Sequence, residues 1–293
     1  MPRTVLITGC SDGGMGAALA KEYHRRGDRV FATARTPSKM ASLKTAGIET
    51  LQLDVVSEDS IQACVRQLST LTDGSLDVLI NNAGRALCMP LTDLSIPEAK
   101  QVFELNFWAI LRMTQVFFPL LQEAARTNGR ALHVNQTSVS SIGGAPFFSA
   151  YNTSKAAAAM LVHNLRLELA PFGIEVIELK TGAVKTNIHD NDPVCHLPPE
   201  SLYTPIKEEI AKFSKGDDMS TNAQDPTLWA KNVVTDLDQT HPPNIIWRGT
   251  FASQVRLASI LPVSLFDSTF RKVSKLNVLK QKLKEAQAKR SET

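Results

Sequence analysis

The run Gly9-Cys10-Ser11-Asp12-Gly13-Gly14-Met15-Gly16 stands between an apolar stretch, residues 4–8, and a stretch of helical spacing, residues 15–26. Glycines in that setting allow a tight turn and let the backbone approach a pyrophosphate. The helix N-terminus that follows attracts the anion through its N–H groups and its dipole. A merely flexible loop is the alternative, and the strand–loop–helix setting argues against it. The next strand ends in Phe31-Ala32-Thr33-Ala34-Arg35-Thr36, without the acidic residue that would hold a ribose 2′-hydroxyl. Arg35 can meet a 2′-phosphate instead, with Lys39 as a second cation, so NADP is favoured over NAD. A solvated surface arginine is the competing reading of Arg35. Four further polar residues stand out. Ser138 follows a strand-like run, and Tyr151 and Lys155 are four apart, hence neighbours on one helix face. Asn106 lies in mid-helix, where an amide has poor propensity and needs another reason. A core tyrosine, a solvated lysine and a packing amide are the plainer alternatives.

The elements that must position these groups alternate along the chain. Strands are predicted at residues 4–8, 29–34, 49–53, 77–80, 131–134 and 174–179, with a last edge strand at 244–247. Helices are predicted at 15–26, 38–46, 58–71 and 151–170, and a long one is bracketed by Pro97 and Gly129, with a kink at Pro119. Such alternation implies an α/β fold, a single doubly wound Rossmann-type parallel sheet with helices on both faces. Its chemistry belongs outside the carboxyl ends of the strands. From 186 to 226 the regularity lapses into a polar, proline-rich stretch, expected to be a substrate loop. The division expected is a catalytic domain over 1–250 and an apolar segment with a basic tail over 251–293.

Of the 293 residues 43% are hydrophobic, which excludes a disordered chain, and the net charge of +3 gives no reason to expect a nucleic-acid partner. That charge is uneven. Residues 271–293 carry eight basic side chains against two acidic, a net +6, which leaves −3 for the remainder. Leu276, Leu279 and Leu283 give this tail an apolar stripe. Residues 257–266 form an apolar run broken by Pro262, far too short to span a bilayer. The segment 257–290 could contact an anionic membrane surface, or it could be a lid followed by a solvated tail, the reading slightly preferred. A strand starting at Thr4 leaves no room for a signal sequence, and Cys10, Cys64, Cys88 and Cys195 lack metal-site spacing. A cytoplasmic protein with reduced thiols and no metal is expected, at most peripheral on an intracellular membrane or lipid droplet.

Taken in order, Thr8-Gly9 with its glycine loop, Asn81-Asn82-Ala83-Gly84, Asn106, Ser138, Tyr151-Asn152-Thr153-Ser154-Lys155, and Gly182 with Thr186 resemble the short-chain dehydrogenase/reductase family over residues 3–190. The resemblance implies a role for each match. Tyr151 would exchange a proton with the substrate oxygen as hydride passes to or from a nicotinamide. A free tyrosine, with a pKa near ~10, is a poor base, and the Lys155 ammonium would lower that value. Lys155 would also hold the nicotinamide ribose. Ser138 would bond the substrate oxygen, and Asn106 would support a water relay. The cofactor would meet Ile7, Gly9, Ser11, Gly14, Gly16, Arg35, Lys39, Asp54, Asn82, Tyr151, Lys155, Val184 and Thr186. The longer glycine loop leaves either Gly13 or Gly14 to approach the pyrophosphate. Gln136 and Thr181 also depart from the usual pattern, and none of these changes removes a catalytic group.

The loop, Phe31-Ala32-Thr33-Ala34-Arg35 and residues 165–173 further resemble fungal acyl-dihydroxyacetone-phosphate reductases and reductases of secondary metabolism. An NADPH-dependent reductase of a hydrophobic ketone or aldehyde is therefore expected. Oxidation of a steroid- or retinol-like alcohol, or a NADP-binding scaffold without turnover, are the alternatives. Family members are often dimers or tetramers, so a homo-oligomer is compatible with the sequence.

Overall fold

The apolar runs pair as parallel strands in the computed structural model, which describes residues 2–186, 195–215 and 222–291. Strands β1 (Thr4–Ile7), β2 (Arg29–Ala34), β3 (Glu49–Gln52), β4 (Val78–Asn81), β5 (Ala131–Gln136), β6 (Ile174–Thr181) and β7 (Ile245–Arg248) form one sheet in the order β3-β2-β1-β4-β5-β6-β7. The order reverses between β1 and β4, and there the strand ends diverge and open a crevice. Side-chain alternation divides the core. Leu6, Phe31 and Leu79 face one side of the sheet, where α3 (Glu58–Leu71), α5 (Ala109–Asn128) and α6 (Ser149–Leu169) cover them. Val5, Ile7 and Val30 face the other, under α1 (Met15–Arg25) and α8 (Pro226–Leu237). The expected fold is the one observed.

Local chemistry sets the helix ends. Ser57 caps α3 by accepting from the Ser60 N–H, and Glu58 and Asp59 occupy its first turn, where the helix dipole favours them. Gly129 ends α5 at φ +83°, a left-handed conformation that glycine adopts without penalty. Two features differ from the sequence reading. The long helix breaks into α4 (Ile96–Phe103) and α5 around a π-turn, Glu104–Trp108, whereas Pro119 lies inside an uninterrupted α5. Helix α8 follows directly on the expected loop, in a stretch to which the sequence reading assigns no element. Its signals are local: the Asp225 carboxylate accepts from the N–H groups of Thr227 and Leu228, Pro226 occupies the first position, and Trp229, Val233, Val234 and Leu237 are buried. The remaining helices are α2 (Ala41–Thr45), α7 (Lys207–Ser214), α9 (Ala252–Ala258), α10 (Asp267–Val273) and α11 (Leu276–Ser291). Residues 187–194 and 216–221 of the expected substrate loop, His189 among them, lie outside the described residues.

Candidate active site

The crevice between β1 and β4 has a volume of about 310 Å³, within the usual range of small-ligand sites. Gly9, Ser11, Gly14, Arg35, Lys39, Asn82 and Thr186 line it. Gly9 turns the chain at φ +72°. Gly14 caps α1 and faces the crevice, whereas Gly13 forms the left-handed turn before it at φ +79° and is not in the lining. No side chain caps the first N–H groups of α1 among the described residues, and no acidic residue occupies its first turn. That end is open to an anion. A Cβ built on Gly16 would stand 2.6 Å from the Gly9 carbonyl oxygen and 2.7 Å from Asn82 Nδ2, so glycine is required there.

Asn82 forms the floor. Its Nδ2 donates to the carbonyl oxygens of Thr8 (2.8 Å) and Gly9 (3.2 Å), while Thr8 Oγ1 accepts from the N–H groups of Asn82 and Ala83. Asn82 Oδ1 is buried with no hydrogen-bond partner among the described residues. An uncapped helix end, an orphaned acceptor and two cations where β2 ends suit a phosphorylated dinucleotide. Of the other residues expected to contact one, Ile7 is in the core, Asp54 accepts from the N–H of Val56, and Val184 bridges to Gln224. The crevice lining does not include these three.

At the carboxyl ends of β4 and β5 the polar residues converge. Lys155 is 4% exposed, and its Nζ donates to the Gln136 carbonyl oxygen (2.9 Å) and lies 6.0 Å from the Tyr151 ring centroid. Burial pulls the ammonium down to about 8, which still leaves it mostly charged at neutral pH. Ser138 caps the turn Val139–Ser141, its Oγ accepting from the Ser140 N–H at 3.1 Å. Asn106 sits in the π-turn, where the widened ladder turns its side chain inward; such turns recur at functional sites. Its Oδ1 accepts from the Arg85 N–H (3.0 Å), and its Nδ2 donates to the Arg85 carbonyl (2.9 Å) and to Ser154 Oγ (3.0 Å). Asn106 thus ties the strand exit to α6. Both Asn106 and Lys155 close on Gly84, where a built Cβ would stand 3.2 Å from Asn106 Oδ1 and 3.4 Å from Lys155 Nζ.

A family profile described as short chain dehydrogenase matches residues 3–193. The chain belongs to the short-chain dehydrogenase family. A short-chain dehydrogenase/reductase of Pestalotiopsis microspora is 45% identical over 288 residues, covering 97% of this chain and 98% of that one. An NADPH-dependent 1-acyldihydroxyacetone phosphate reductase of Schizosaccharomyces pombe is 37% identical over 284 residues, covering 93% of this chain and 94% of the relative. Among solved structures, a short-chain dehydrogenase from Streptomyces avermitilis superposes with a TM-score of 0.77 at 27% identity, over 94% of this chain and 98% of that one.

Two features of this short-chain dehydrogenase go beyond what its sequence leads one to expect. The first is an apolar cluster of Phe147, Phe148, Ile206, Ile210 and Phe213, against which Tyr151 packs. Leu276 and Leu279, two residues of the tail's leucine stripe, join this cluster, so the start of α11 packs beside Tyr151's surroundings. The second is a buried ion pair. Lys180 Nζ bonds to Glu178 Oε1 and donates to Ser141 Oγ (3.0 Å), while Thr137 Oγ1 donates to the same carboxylate (2.8 Å). Oppositely charged residues two apart in one strand, hence on one face, were the available signal. His133, from its sequence setting a structural or surface residue rather than a ligand, is fully buried beside Asn81, Thr114 and Asn135, where burial pushes its imidazole down to about 4.

Proposed function

We propose that this short-chain dehydrogenase is an NADPH-dependent carbonyl reductase acting on a hydrophobic small molecule. The observation that carries the proposal is Tyr151, a phenol packed against an apolar cluster and sharing its helix face with the buried Lys155 ammonium. Arg35 and Lys39 would bind the 2′-phosphate, the open end of α1 the pyrophosphate, and Lys155 and Thr186 the nicotinamide half. Ile7, Asp54 and Val184 would act through the backbone or at the edges of the site. The Schizosaccharomyces relative, an NADPH-dependent 1-acyldihydroxyacetone phosphate reductase, supports the same choice of cofactor and an acyl-bearing carbonyl substrate.

When bound, the reduced nicotinamide supplies a hydride; the chain manages the proton. Tyr151 donates its phenolic proton to the substrate oxygen as negative charge develops there, and the phenolate left behind is stabilised by the Lys155 ammonium. The Ser138 hydroxyl donates to the same oxygen and fixes the carbonyl. Asn106 is a positioning residue, holding the Arg85 backbone and Ser154 so that α6 keeps its place. The aromatic and aliphatic lining excludes water and selects an apolar substrate. NADPH oxidation should therefore be measured with ketones of increasing chain length, with NADH as the comparison. Tyr151→Phe should lower turnover by about 100- to 10,000-fold, the usual contribution of a positioned acid, while NADPH still binds. Normal turnover in that variant would refute the mechanism.

A further inference from the structure

No residue from 253 to 273 is buried, although this stretch contains two helices, α9 and α10, and the turn between them. At its tip Leu257, Ile260 and Leu265 are 74%, 80% and 62% exposed, and Leu261 and Val263 are exposed beside them. Five large apolar side chains within nine residues form a concentrated patch, and an exposed patch of that kind marks an interaction surface. Its surroundings are basic. Between residues 256 and 290 the sequence holds nine lysines and arginines against Asp267 and Glu285, a net +7, and Arg256, Lys272, Lys275, Lys280 and Lys284 are all exposed.

We propose that this patch docks on an anionic lipid bilayer, with Leu257, Ile260 and Leu265 inserted among the acyl chains and the basic rim on the headgroups. The charge decides between a bilayer and a second copy of the chain. An isologous dimer would set the patch against itself and oppose two strongly positive rims, whereas an anionic surface neutralises one. The docking is peripheral, because no helix among the described residues is long and apolar enough to cross a membrane. The leucine stripe of α11 is not the inserted element, since Leu276 and Leu279 pack inward in the apolar cluster beside Tyr151. The patch is nonetheless tied to the site. Helix α9 packs on the turn Val139–Ser141 that follows Ser138, and Phe270 of α10 lies 3.8 Å from the Cβ position of Gly143. A docked bilayer would therefore lie near the turn that follows Ser138.

Flotation of the full chain with vesicles of phosphatidylcholine alone, and of phosphatidylcholine mixed with phosphatidylserine, tests this without reference to catalysis. The chain should float with the anionic vesicles and remain below with the neutral ones. Binding should fall by roughly fivefold for each basic residue neutralised and weaken in 1 M salt, where the Debye length is about 3 Å. The double variant Ile260→Ser/Leu265→Ser changes only exposed side chains and should lose on the order of a hundredfold in partitioning. A Lys272→Gln/Lys275→Gln variant should lose affinity for anionic vesicles alone. Equal flotation of the serine variant and the parent would overturn the proposal. So would failure of the parent to float, or a dimer in light scattering that the serine variant dissociates.

Discussion

Replacing Lys155 with methionine should remove turnover and, at neutral pH, leave the cofactor-free protein at least as stable as the parent. The reasoning rests on the buried ammonium. Its pKa falls from 10.5 to about 8 on folding because burial disfavours the charge. A lysine whose folded pKa is depressed gives up a proton more readily than the unfolded chain does, so the folded state carries a penalty wherever the unfolded lysine is charged. Linkage puts that penalty at about 3 kcal/mol at pH 7. Methionine removes it and fills a similar volume, but leaves the Gln136 carbonyl without its 2.9 Å partner, a loss of about 1–3 kcal/mol. The net expectation at pH 7 is a variant between equal in stability and about 2 kcal/mol more stable. The penalty is relieved as pH rises from 8 towards 10.5, so only about 1 kcal/mol remains at pH 10. The stability difference should therefore move by about 2.5 kcal/mol in favour of the parent between pH 7 and pH 10. Urea unfolding followed by fluorescence, with the fully buried Trp229 as reporter, measures both ends of that range. Groups that titrate alike in both proteins cancel in the difference. A gap that does not change with pH, or a variant destabilised by several kcal/mol at pH 7, would refute the reasoning.

The other expectations concern separate parts of the molecule. His133 has a folded pKa near 4 against 6.5 for the free imidazole, so the unfolded chain takes up the proton first. Stability present at neutral pH should fall by about 2 kcal/mol by pH 5 through this residue, and His133→Asn, compared with the parent by urea midpoints at pH 7 and pH 5, should lack that component. Arg35→Asp should weaken NADPH binding by roughly 10- to 100-fold, the value of a charge-assisted contact, and shift the preference towards NADH in a titration of cofactor fluorescence. Unchanged preference would remove Arg35 from the site. Gly16→Ala should abolish cofactor binding, because its Cβ meets the Gly9 carbonyl oxygen at 2.6 Å. Gly27→Ala is the control: its Cβ meets nothing within 4 Å but φ is +92°, so calorimetry should show a small loss of stability with binding retained.

What could be read from the sequence was what is written locally. Strand periodicity, the glycine loop, Arg35 directly after β2 and the Tyr151–Lys155 spacing are each contained in a few consecutive residues, and all lie in the structure where those patterns put them. The alternating strands and helices were enough for the fold. The apolar cluster beside Tyr151 was not legible, because Phe148, Ile206, Phe213 and Leu279 come from three distant parts of the chain and resemble ordinary core residues in isolation. The π-turn was missed for a different reason: one extra residue in a ladder has no compositional mark, and only the cost of a mid-helix asparagine hinted at it. Helix α8 begins at Pro226, where the expected loop ends, and the sequence reading assigns no element between there and residue 244. The Asp225-Pro226 start and the spacing of Trp229, Val233 and Leu237 were both available.

The polar groups buried at the catalytic end point to how this fold divides its tasks. Lys155, the Glu178–Lys180 pair and Asn106 are all removed from water near the carboxyl ends of β4, β5 and β6. A charge taken from water is at best offset by its partner, so this end adds little to stability on its own account. The two apolar cores on either face of the sheet must supply the difference. Their strands hold the turn Val139–Ser141 from beneath: Gln136 accepts from Lys155, Thr137 donates to Glu178, and Lys180 reaches Ser141. The ion pair therefore acts on the position of Ser138 through the turn that Ser138 caps, without belonging to the apolar cluster beside Tyr151. That cluster is built instead from side chains of loops, of α7 and of the first turn of α11. Exchanging one apolar side chain for another there changes shape and volume but leaves this buried hydrogen-bond network intact, so substrate preference can vary while the geometry around Ser138, Tyr151 and Lys155 is kept.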